Sequence, residues 1–572
     1  MGKEVPPSAE LGPPGPEDSG ELPAGPRPGE AAAREDEAEA QALVRSTAVM
    51  SVGTAASRIT GFLRVAAMAF ALGVAETRLA DAYNVANNLP NIIYELVLGG
   101  VLTSVLVPVF VERLARGREE AWESARAVMT VAAVLLGAVM LLGIVAAPWI
   151  VRLYTLRVPA GPAREASQAL STLFLRFFMP QILLYGLGAV ATGLLNAHRR
   201  FAVPMFAPIL NNVVVIASFL LFAFLSGPDI PRPDTITLAQ KLVLAVGTTA
   251  GVAAMTLALW PSLRRVGFRL RWRLDWHDPA VRKLLRLSGW VVAYVVINQL
   301  GLLVVIVLAG EVKGGYTAYQ AAFIFFQLPH AIFAVSIMTA LLPSLSQDWV
   351  RRDSVEFRQN LARGIRASAF VVLPAAAGYV VLATPIVRLL LQHGVAGAGS
   401  TELVAGVLTF FALGLFSFSA FMLFLRAFYA MQDTRTPAVI NLFAVALNTV
   451  ANLLLFPVLQ VRGLALGHAL AYTFAALTAA AVLRRRLGGL EGRTLAEGLA
   501  KVVLGAAATA AAAWGMARLM GGVISTDTLA GQVAQVGTGV LAGLIIFVGA
   551  ALLLRMEEFD LVKRTIAARL RR

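Results

Sequence analysis

Hydrophobic residues in this chain are gathered into windows of about twenty positions, separated by short polar segments. One such window is long enough for an α-helix to cross the hydrocarbon core of a bilayer, which is about 30 Å thick. The pattern therefore predicts an all-α polytopic membrane protein with about fourteen transmembrane helices. The approximate spans are 47–72, 79–111, 125–151, 169–195, 203–226, 238–261, 287–310, 315–346, 366–391, 402–430, 436–457, 462–483, 499–520 and 530–554.

The composition agrees with this class of protein. Of 572 residues, 58% are hydrophobic and 15% are charged, whereas soluble domains are about 45–50% apolar and about 25% charged. The absence of cysteine excludes disulfides, thiolate nucleophiles and cysteine-ligated metals. The only polar cluster of catalytic type is Asp275, His277 and Asp278, within a segment that reads as a helix start. No partner cluster or nucleotide-binding loop accompanies it, so we expect no enzyme, cofactor or metal.

The two ends of the chain differ from the rest. Residues 1–42 are acidic and rich in Pro and Gly, without apolar periodicity, which is typical of a disordered tail. They also lack the basic start and apolar run of a signal peptide. Residues 557–572 form a short basic tail. The net charge of +15 comes from arginines concentrated in loops, so we interpret it as membrane topology and expect no nucleic-acid partner.

The distribution of arginine predicts the orientation of the helices. Loops after odd-numbered predicted helices are poor in arginine, and the richest of them holds Arg152, Arg157 and Arg164. Arginine-rich loops remain in the cytoplasm, so both termini are predicted to be cytoplasmic, and the number of spans is even. The loops after even-numbered helices hold Arg113, Arg116, Arg118, Arg199, Arg200, Arg264, Arg265, Arg269, Arg271, Arg273, Arg351, Arg352, Arg358, Arg484, Arg485 and Arg486.

An internal repeat relates the two halves of the chain. Three segments of the first half recur in order in the second half, and their matched prolines are separated by 239, 237 and 233 residues. The matched pairs are Pro90 and Pro329, Pro148 and Pro385, and Pro204 and Pro437. The repeat predicts two six-helix lobes of the same orientation, with substrate between them and access alternating as they rock. The predicted divisions are an N-lobe at 45–262, a C-lobe at 280–486 and two extra helices within 499–556.

Four charged residues lie inside or at the edges of the first two apolar windows: Arg58, Arg64, Asp81 and Glu95. A charge in the bilayer costs a few kcal/mol or more and persists mainly where it faces a watery cavity or a partner. Arg58 and Arg64 are separated by about 9 Å of helical rise and about 240° of rotation, so they need not share a face. The simplest alternative for both is snorkelling toward the cytoplasmic edge.

Five motifs, in order along the chain, resemble those of the MurJ/MviN lipid II flippase family, within the multidrug/oligosaccharidyl-lipid/polysaccharide exporter superfamily. The resemblance covers roughly residues 45–555. It implies a fourteen-helix inner-membrane protein with a central cavity, which moves the undecaprenyl-linked peptidoglycan precursor to the outer leaflet. It also implies a groove for the prenyl tail at the last two helices. The motifs are SRITGFLR at 57–64, DAYNVANNLPN at 81–91, Val107-Pro108, NAHRRFAVPMFAPILNN at 196–212 and AFYAMQDTRTP at 427–437.

The resemblance carries functional roles to three matched positions. Arg58 and Arg64 match family arginines, and a permanently charged guanidinium suits the pyrophosphate of the cargo. Asp81 matches an acidic position at the periplasmic start of the second helix. It either closes an outer gate by pairing with an arginine or caps its own helix.

The chain also departs from the family. Tyr94 and Glu95 replace an arginine pair, and Asn88 replaces a lysine. We therefore expect Asn88, Gln327 and Arg426 to contribute to substrate binding. For Arg426, a snorkelling position at the cytoplasmic edge is the alternative. Glu95 either pairs with an arginine of the first helix, takes up a proton, or is a hydrogen-bonded structural carboxyl.

The sequence therefore predicts a flippase for lipid II that works by alternating access. The alternative is an exporter of another lipid-linked oligosaccharide or of small cationic, drug-like molecules on the same fold. The predicted partners are the undecaprenyl-pyrophosphate-linked precursor and membrane lipids. Wall-synthesis or division proteins are candidate partners of the N-terminal tail. The coupling ion and the oligomeric state are not determined by the sequence.

Overall fold

The computed structural model describes residues 52–96, 106–227 and 230–559, and for residues 93–96 and 287–294 it describes the backbone alone. All regular secondary structure in these residues is helical. The all-α fold class predicted from the hydrophobic pattern is therefore confirmed. The predicted N-terminal tail and nearly all of the predicted basic C-terminal tail lie outside the described residues.

The described residues form nineteen α-helices and one short π-helix. In chain order they are α1 Val52–Leu72, α2 Leu79–Leu96, α3 Val107–Arg116, α4 Arg118–Tyr154, α5 Pro162–Phe178, α6 Pro180–Ala197, α7 Ala202–Ser226, α8 Leu238–Ala258, α9 Trp260–Arg265, α10 Pro279–Ala309, α11 Gly315–Pro329, the π-helix His330–Ala334, α12 Val335–Val350, α13 Ser354–Leu391, α14 Ala398–Ala412, α15 Leu415–Ala430, α16 Arg435–Leu459, α17 Val461–Leu487, α18 Gly492–Val523 and α19 Leu529–Leu553.

Eleven helical stretches among the described residues are long and apolar enough to cross a membrane. The count rises to twelve if α14 and α15, which meet at a 49° bend, form one span. The predicted second span is described only as α2 and α3, because residues 97–105 lie between them outside the described part. The predicted seventh corresponds to α10, in which Val295–Ala309 is the apolar stretch among the residues whose side chains the structure describes. The count of fourteen therefore stays a prediction.

The span formed by α11 and α12 is interrupted where the sequence predicts one continuous helix. Pro329 ends α11, and a five-residue π-helix, His330–Ala334, follows it. Proline lacks the N–H that would continue the helical ladder, and single-turn π-helices are frequent at functional sites. The interruption places His330 at an irregular point within the span.

Helix α1 packs against helices from both halves of the chain. Val65 and Ala69 belong to a large aromatic-rich core whose other members come mainly from α10 to α17. Met68 and Leu72 belong to a different core, formed with α2, α5 and α7. The spacing of three and four residues places Val65, Met68, Ala69 and Leu72 on one broad face of α1, so this face packs against both cores. The division of the chain into two lobes stays a prediction.

The start of α10 agrees with the helix start predicted at residues 276–279. Asp278 is the N-cap, and its carboxylate accepts from the Ala280 N–H at 2.8 Å, with Pro279 in the first turn. Asp275 accepts from the backbone N–H groups of His277 (3.0 Å) and Asp278 (3.1 Å). These residues therefore cap a helix and stabilise the preceding turn.

Candidate functional site

The turn between α1 and α2 reverses the chain over residues 73–78. Gly73 has φ of +70°, a region that residues with a Cβ rarely adopt. Inside the turn the Val74 N–H donates to the Glu76 carboxylate at 2.7 Å. We call the end of the molecule that carries this turn and the loops 310–314 and 392–397 the gate face.

Glu76 connects this turn to the start of α14. Its carboxylate accepts from the Gly397 N–H at 2.7 Å and from the Ser400 hydroxyl at 2.6 and 2.7 Å. The Ser400 Oγ in turn accepts from the Ala75 N–H at 2.9 Å. The first turn of a helix has unpaired N–H groups and a partial positive charge, both of which favour a carboxylate. Glu76 therefore caps a helix that lies more than three hundred residues further along the chain.

Arg78 makes the complementary contact with the end of a helix. Its guanidinium donates to the Gly310 carbonyl at 2.9 Å, directly after α10 ends. Helix C-termini carry unpaired carbonyls and a partial negative charge, so a cation is favourable there. A separate ion pair at the gate face joins Arg157 to Glu311, with 3.2 Å between Nε and Oε2. The turn thus places each of its charges against a helix end of opposite polarity.

Asp81 is buried, with 7% of its surface exposed, and caps α11. Its carboxylate accepts from the Gly314 N–H (2.8 Å), the Thr317 N–H (3.0 Å) and the Thr317 hydroxyl (2.8 Å). The structure differs here from both sequence-based interpretations, because the hydrogen-bond partners are the N-terminus of α11 and not an arginine or its own helix. Arg78 supplies only a nearby positive charge.

Polar contacts between α2 and α11 continue beyond Asp81. Asn84 donates to the Thr317 hydroxyl at 3.1 Å, and Asn88 accepts from the Tyr316 hydroxyl at 3.1 Å. The spacing of three and four residues places these side chains on one face of α2. We call the set the gate seam: Asp81, Asn84 and Asn88 of α2 with Gly314, Tyr316 and Thr317. The structure therefore places Asn88, expected to bind substrate, in a buried helix–helix contact.

The two arginines of α1 lie in different surroundings. Arg58 is exposed, and its charge interacts with the ring of His330 in the π-helix. The Nδ1 of that ring is 2.9 Å from the Ser419 Oγ. Arg64 is half-buried, and its charge interacts with the Tyr83 hydroxyl of α2. Neither arginine forms an ion pair with an acidic side chain in the described part of the chain.

The other predicted site residues are not gathered around Arg58. Gln327 is half-buried in the last turn of α11, one turn before His330. Arg426 is exposed on α15, near Tyr429. Glu95 belongs to α2, but its side chain lies outside the described part, so the structure does not place the carboxylate.

A polar cavity of about 140 Å³ lies between α10, α11, α16 and α17. Asn441 donates to Asn298 across it at 3.5 Å, which is a polar contact between α16 and α10. His468 lines the cavity and is surrounded by aromatic rings. Among the described residues no group of three or more His, Cys, Asp or Glu is arranged to hold a metal ion.

Sequence reasoning missed Glu76 and Arg78, which make some of the shortest contacts at the gate face. The available signal was a pair of opposite charges in a loop of six residues between two apolar windows. A loop this short leaves its charges close to the neighbouring helix ends, where the helix dipoles favour them.

Solved structures of membrane transporters share the fold of this chain. A structure described as lipid II flippase MurJ in an inward closed conformation matches with a TM-score of 0.71 at 20% identity, covering 90% of this chain and 99% of that chain. An inward-facing multidrug resistance transporter of the MATE family matches with a TM-score of 0.57 at 13% identity, covering 75% and 99%. These likenesses define the fold as that of the superfamily that contains MATE transporters.

Sequence comparisons identify the family of the chain. The family model "Lipid II flippase MurJ" matches residues 68–530. A probable lipid II flippase MurJ of Rhizobium meliloti (strain 1021) is 31% identical over 426 residues, which cover 74% of this chain and 77% of that protein. Another from Rickettsia prowazekii (strain Madrid E) is 27% identical and covers 91% and 99%. The chain belongs to the MurJ lipid II flippase family; it is a multi-pass membrane transporter and not an enzyme.

Proposed function

We propose that this chain transports lipid II from the inner to the outer leaflet of the cytoplasmic membrane by alternating access, and that the structure is the state closed at the gate face. The observation that carries the proposal is the set of contacts around residues 73–81. Glu76, Arg78 and Asp81 bind the ends of α14, α10 and α11, which belong to the second half of the chain. Rocking the two halves apart would break all three contacts together.

The orientation follows from the distribution of arginine. The gate face carries the loops after odd-numbered predicted helices, which are poor in arginine, so it is the periplasmic side. Both termini are then cytoplasmic, and the closed gate separates the space between the two halves from the periplasm. The N-terminal tail would face the same side, where wall-synthesis or division proteins could contact it.

Arg58 and Arg64 are the residues that we assign to the anionic headgroup. Both lack an acidic partner among the described residues, and a pyrophosphate offers the oxygen geometry that guanidinium groups bind best. His330 and Gln327 lie on the span that faces Arg58 and would contribute hydrogen bonds. Asn88 would become available only when the gate seam opens, because it is buried in this state.

Genetic replacement tests the transport activity. A bacterium depleted of its own lipid II flippase should grow when it expresses this chain and should lyse when the chain carries Arg58→Ala or Arg64→Ala. Arg493→Ala is the matched control, because Arg493 is 93% exposed and contacts only Glu497 in its own helix. Failure of the well-expressed wild type would favour a different lipid-linked cargo, and rescue by both arginine variants would contradict the binding assignment.

The natural absence of cysteine permits a direct test of the gate. The Ala75 N–H and the Ser400 Oγ are 2.9 Å apart, so cysteines at these two positions should form a disulfide in the closed state. Oxidation of Ala75→Cys/Ser400→Cys should stop growth in the depleted strain, and a reductant should restore it. Each single variant is the control for oxidant damage. Full activity of the cross-linked protein would show that the gate does not need to open.

A further inference from the structure

A cavity of about 640 Å³ lies beside α4 and α5, and no residue of the gate seam lines it. Arg152 of α4 and Arg176 of α5 line it together with Glu165 and Thr172 of α5. Positions 165, 168, 172 and 176 recur at helical spacing, so they form one polar stripe along α5 that faces the cavity. The proposed transport cycle assigns no role to this stripe.

Both arginines lie at the membrane boundary on the gate face. Arg126, near the start of α4, donates to the Arg269 carbonyl in an arginine-rich loop, which marks the opposite boundary. Arg152 follows Arg126 at a distance of about 39 Å along the helix, and Arg176 precedes Arg200 by about 36 Å. These distances slightly exceed the bilayer core of about 30 Å, so both guanidinium groups are at headgroup depth.

Arginines on this side depart from the charge pattern that sets the topology, so they need a separate explanation. Arg152 and Arg176 are exposed, and neither forms an ion pair with an acidic side chain in the described part of the chain. Glu165 lies three turns along α5 from Arg176, about 16 Å of helical rise, and so does not neutralise it. The cavity therefore presents two available guanidinium groups at the depth of the lipid phosphates.

An exposed apolar strip on α4 continues from the cavity into the membrane. Trp149 is 63% exposed, Val145 65% and Leu142 69%. The spacing of three and four residues places these side chains on the same face of α4 as Arg152, which lies one turn beyond Trp149. Tryptophan is favoured at the headgroup boundary, and the aliphatic residues below it fit an acyl chain.

We propose that Arg152 and Arg176 bind the phosphate of an anionic phospholipid in the leaflet at the gate face, with one acyl chain along α4. Basic pockets between transmembrane helices bind anionic lipid headgroups, and two guanidinium groups can fork onto the oxygens of one phosphodiester. This site is separate from the gate seam and does not depend on the identity of the transported cargo. Phosphatidylglycerol is the simplest lipid with the required charge.

Native mass spectrometry of the full chain tests this site. The purified protein would be titrated with phosphatidylglycerol and with phosphatidylcholine of the same acyl chains. We expect the protein to retain phosphatidylglycerol in preference to phosphatidylcholine. Arg152→Gln or Arg176→Gln alone should weaken the affinity for phosphatidylglycerol about fivefold, and both together should weaken it about thirtyfold. Arg518→Gln is the matched control, because Arg518 is near the gate-face end of α18 but lies over the Trp514 ring, 5.2 Å from its centroid. Lysine at positions 152 and 176 should restore most of the preference.

Three results would overturn the proposal. Equal phosphatidylglycerol retention by the double glutamine variant and by the Arg518→Gln control would place the lipid elsewhere. Displacement of phosphatidylglycerol by equimolar undecaprenyl pyrophosphate would assign the pocket to the polyprenyl carrier. Displacement by inorganic phosphate at a similar concentration would indicate a site for the free anion. Resistance to both competitors, together with loss in the double variant, supports the phospholipid.

Discussion

Asp81 shows how one carboxylate can join the two halves of the chain without a salt bridge. The side chain is buried and accepts three hydrogen bonds at the start of α11, so its charge is stabilised by the helix end and by Thr317. Asp81→Asn keeps the shape but removes the charge. The loss of about 1–2 kcal/mol should reduce the ratio of closed to open molecules about five- to thirtyfold.

The rate of disulfide formation in the Ala75→Cys/Ser400→Cys variant measures this population, because the two positions meet only when the gate is closed. Adding Asp81→Asn should slow the cross-link, by at most this five- to thirtyfold factor. Asp234→Asn, in an exposed loop of the gate face, is the control and should leave the rate unchanged. An unaltered rate with Asp81→Asn would mean that the charge does not stabilise closure.

Asp433 belongs to the turn between α15 and α16 and gives the fold a specific dependence on pH. Burial opposes its ionisation, but hydrogen bonds from Thr436 and the ion pair with Arg486 outweigh burial and lower its pKa to about 2. A lowered pKa contributes stability above the unfolded value of about 4, and the contribution is lost as the pH falls toward 2. Asp433→Asn should therefore lower the unfolding temperature in detergent at pH 7, and the difference from wild type should shrink at pH 3. A difference that is the same at both pH values would contradict this assignment.

At the scale of elements, the close approach of the α1–α2 turn to α11 depends on a glycine. Gly314 has φ of +74°, and a Cβ there would lie 2.6 Å from the Ala75 Cα and against the Val74 carbonyl. Backbone atoms cannot rotate away as a side chain can, and the left-handed conformation alone costs about 1–2 kcal/mol for alanine. Gly314→Ala should thus hold the gate apart and slow the cross-link between positions 75 and 400 at least tenfold. Gly378→Ala, where a Cβ meets nothing within 4 Å, should have no effect on it.

The hydrophobic pattern predicted most of the helices but not their interruptions. Long apolar windows indicate spans reliably because burial in lipid requires them. The breaks at Pro180 and Pro329 depend on how neighbouring helices satisfy the freed backbone groups, which a window average does not register. A local pattern also does not show contacts between distant parts of the chain. The family resemblance indicates Asp81 as a candidate gate residue, but the sequence does not indicate its partner, because Thr317 is 236 residues away in the chain.

At the scale of the whole molecule, the contacts at the gate face form a set that would open as one unit in the proposed cycle. The turn over residues 73–78 touches loops 310–314 and 392–397, and the gate seam continues the contact into the membrane. Each of these charged side chains contacts a helix end. Separation of the two halves would therefore expose all of the charged side chains at the same time, and water would replace their lost hydrogen bonds. Such an arrangement favours two discrete states over a gradual opening.

The orientation of the molecule decides which leaflet this closed gate faces. A membrane-impermeant maleimide should label Asp234→Cys in intact cells, since residue 234 lies in an exposed loop of the gate face. Arg200→Cys, exposed in an arginine-rich loop, should react only after the membrane is permeabilised. The native chain contains no cysteine and is the unlabelled control. The reverse pattern would place the gate face in the cytoplasm. The structure would then be the state open to the outer leaflet, and Arg58 and Arg64 would meet the headgroup on release instead of on capture.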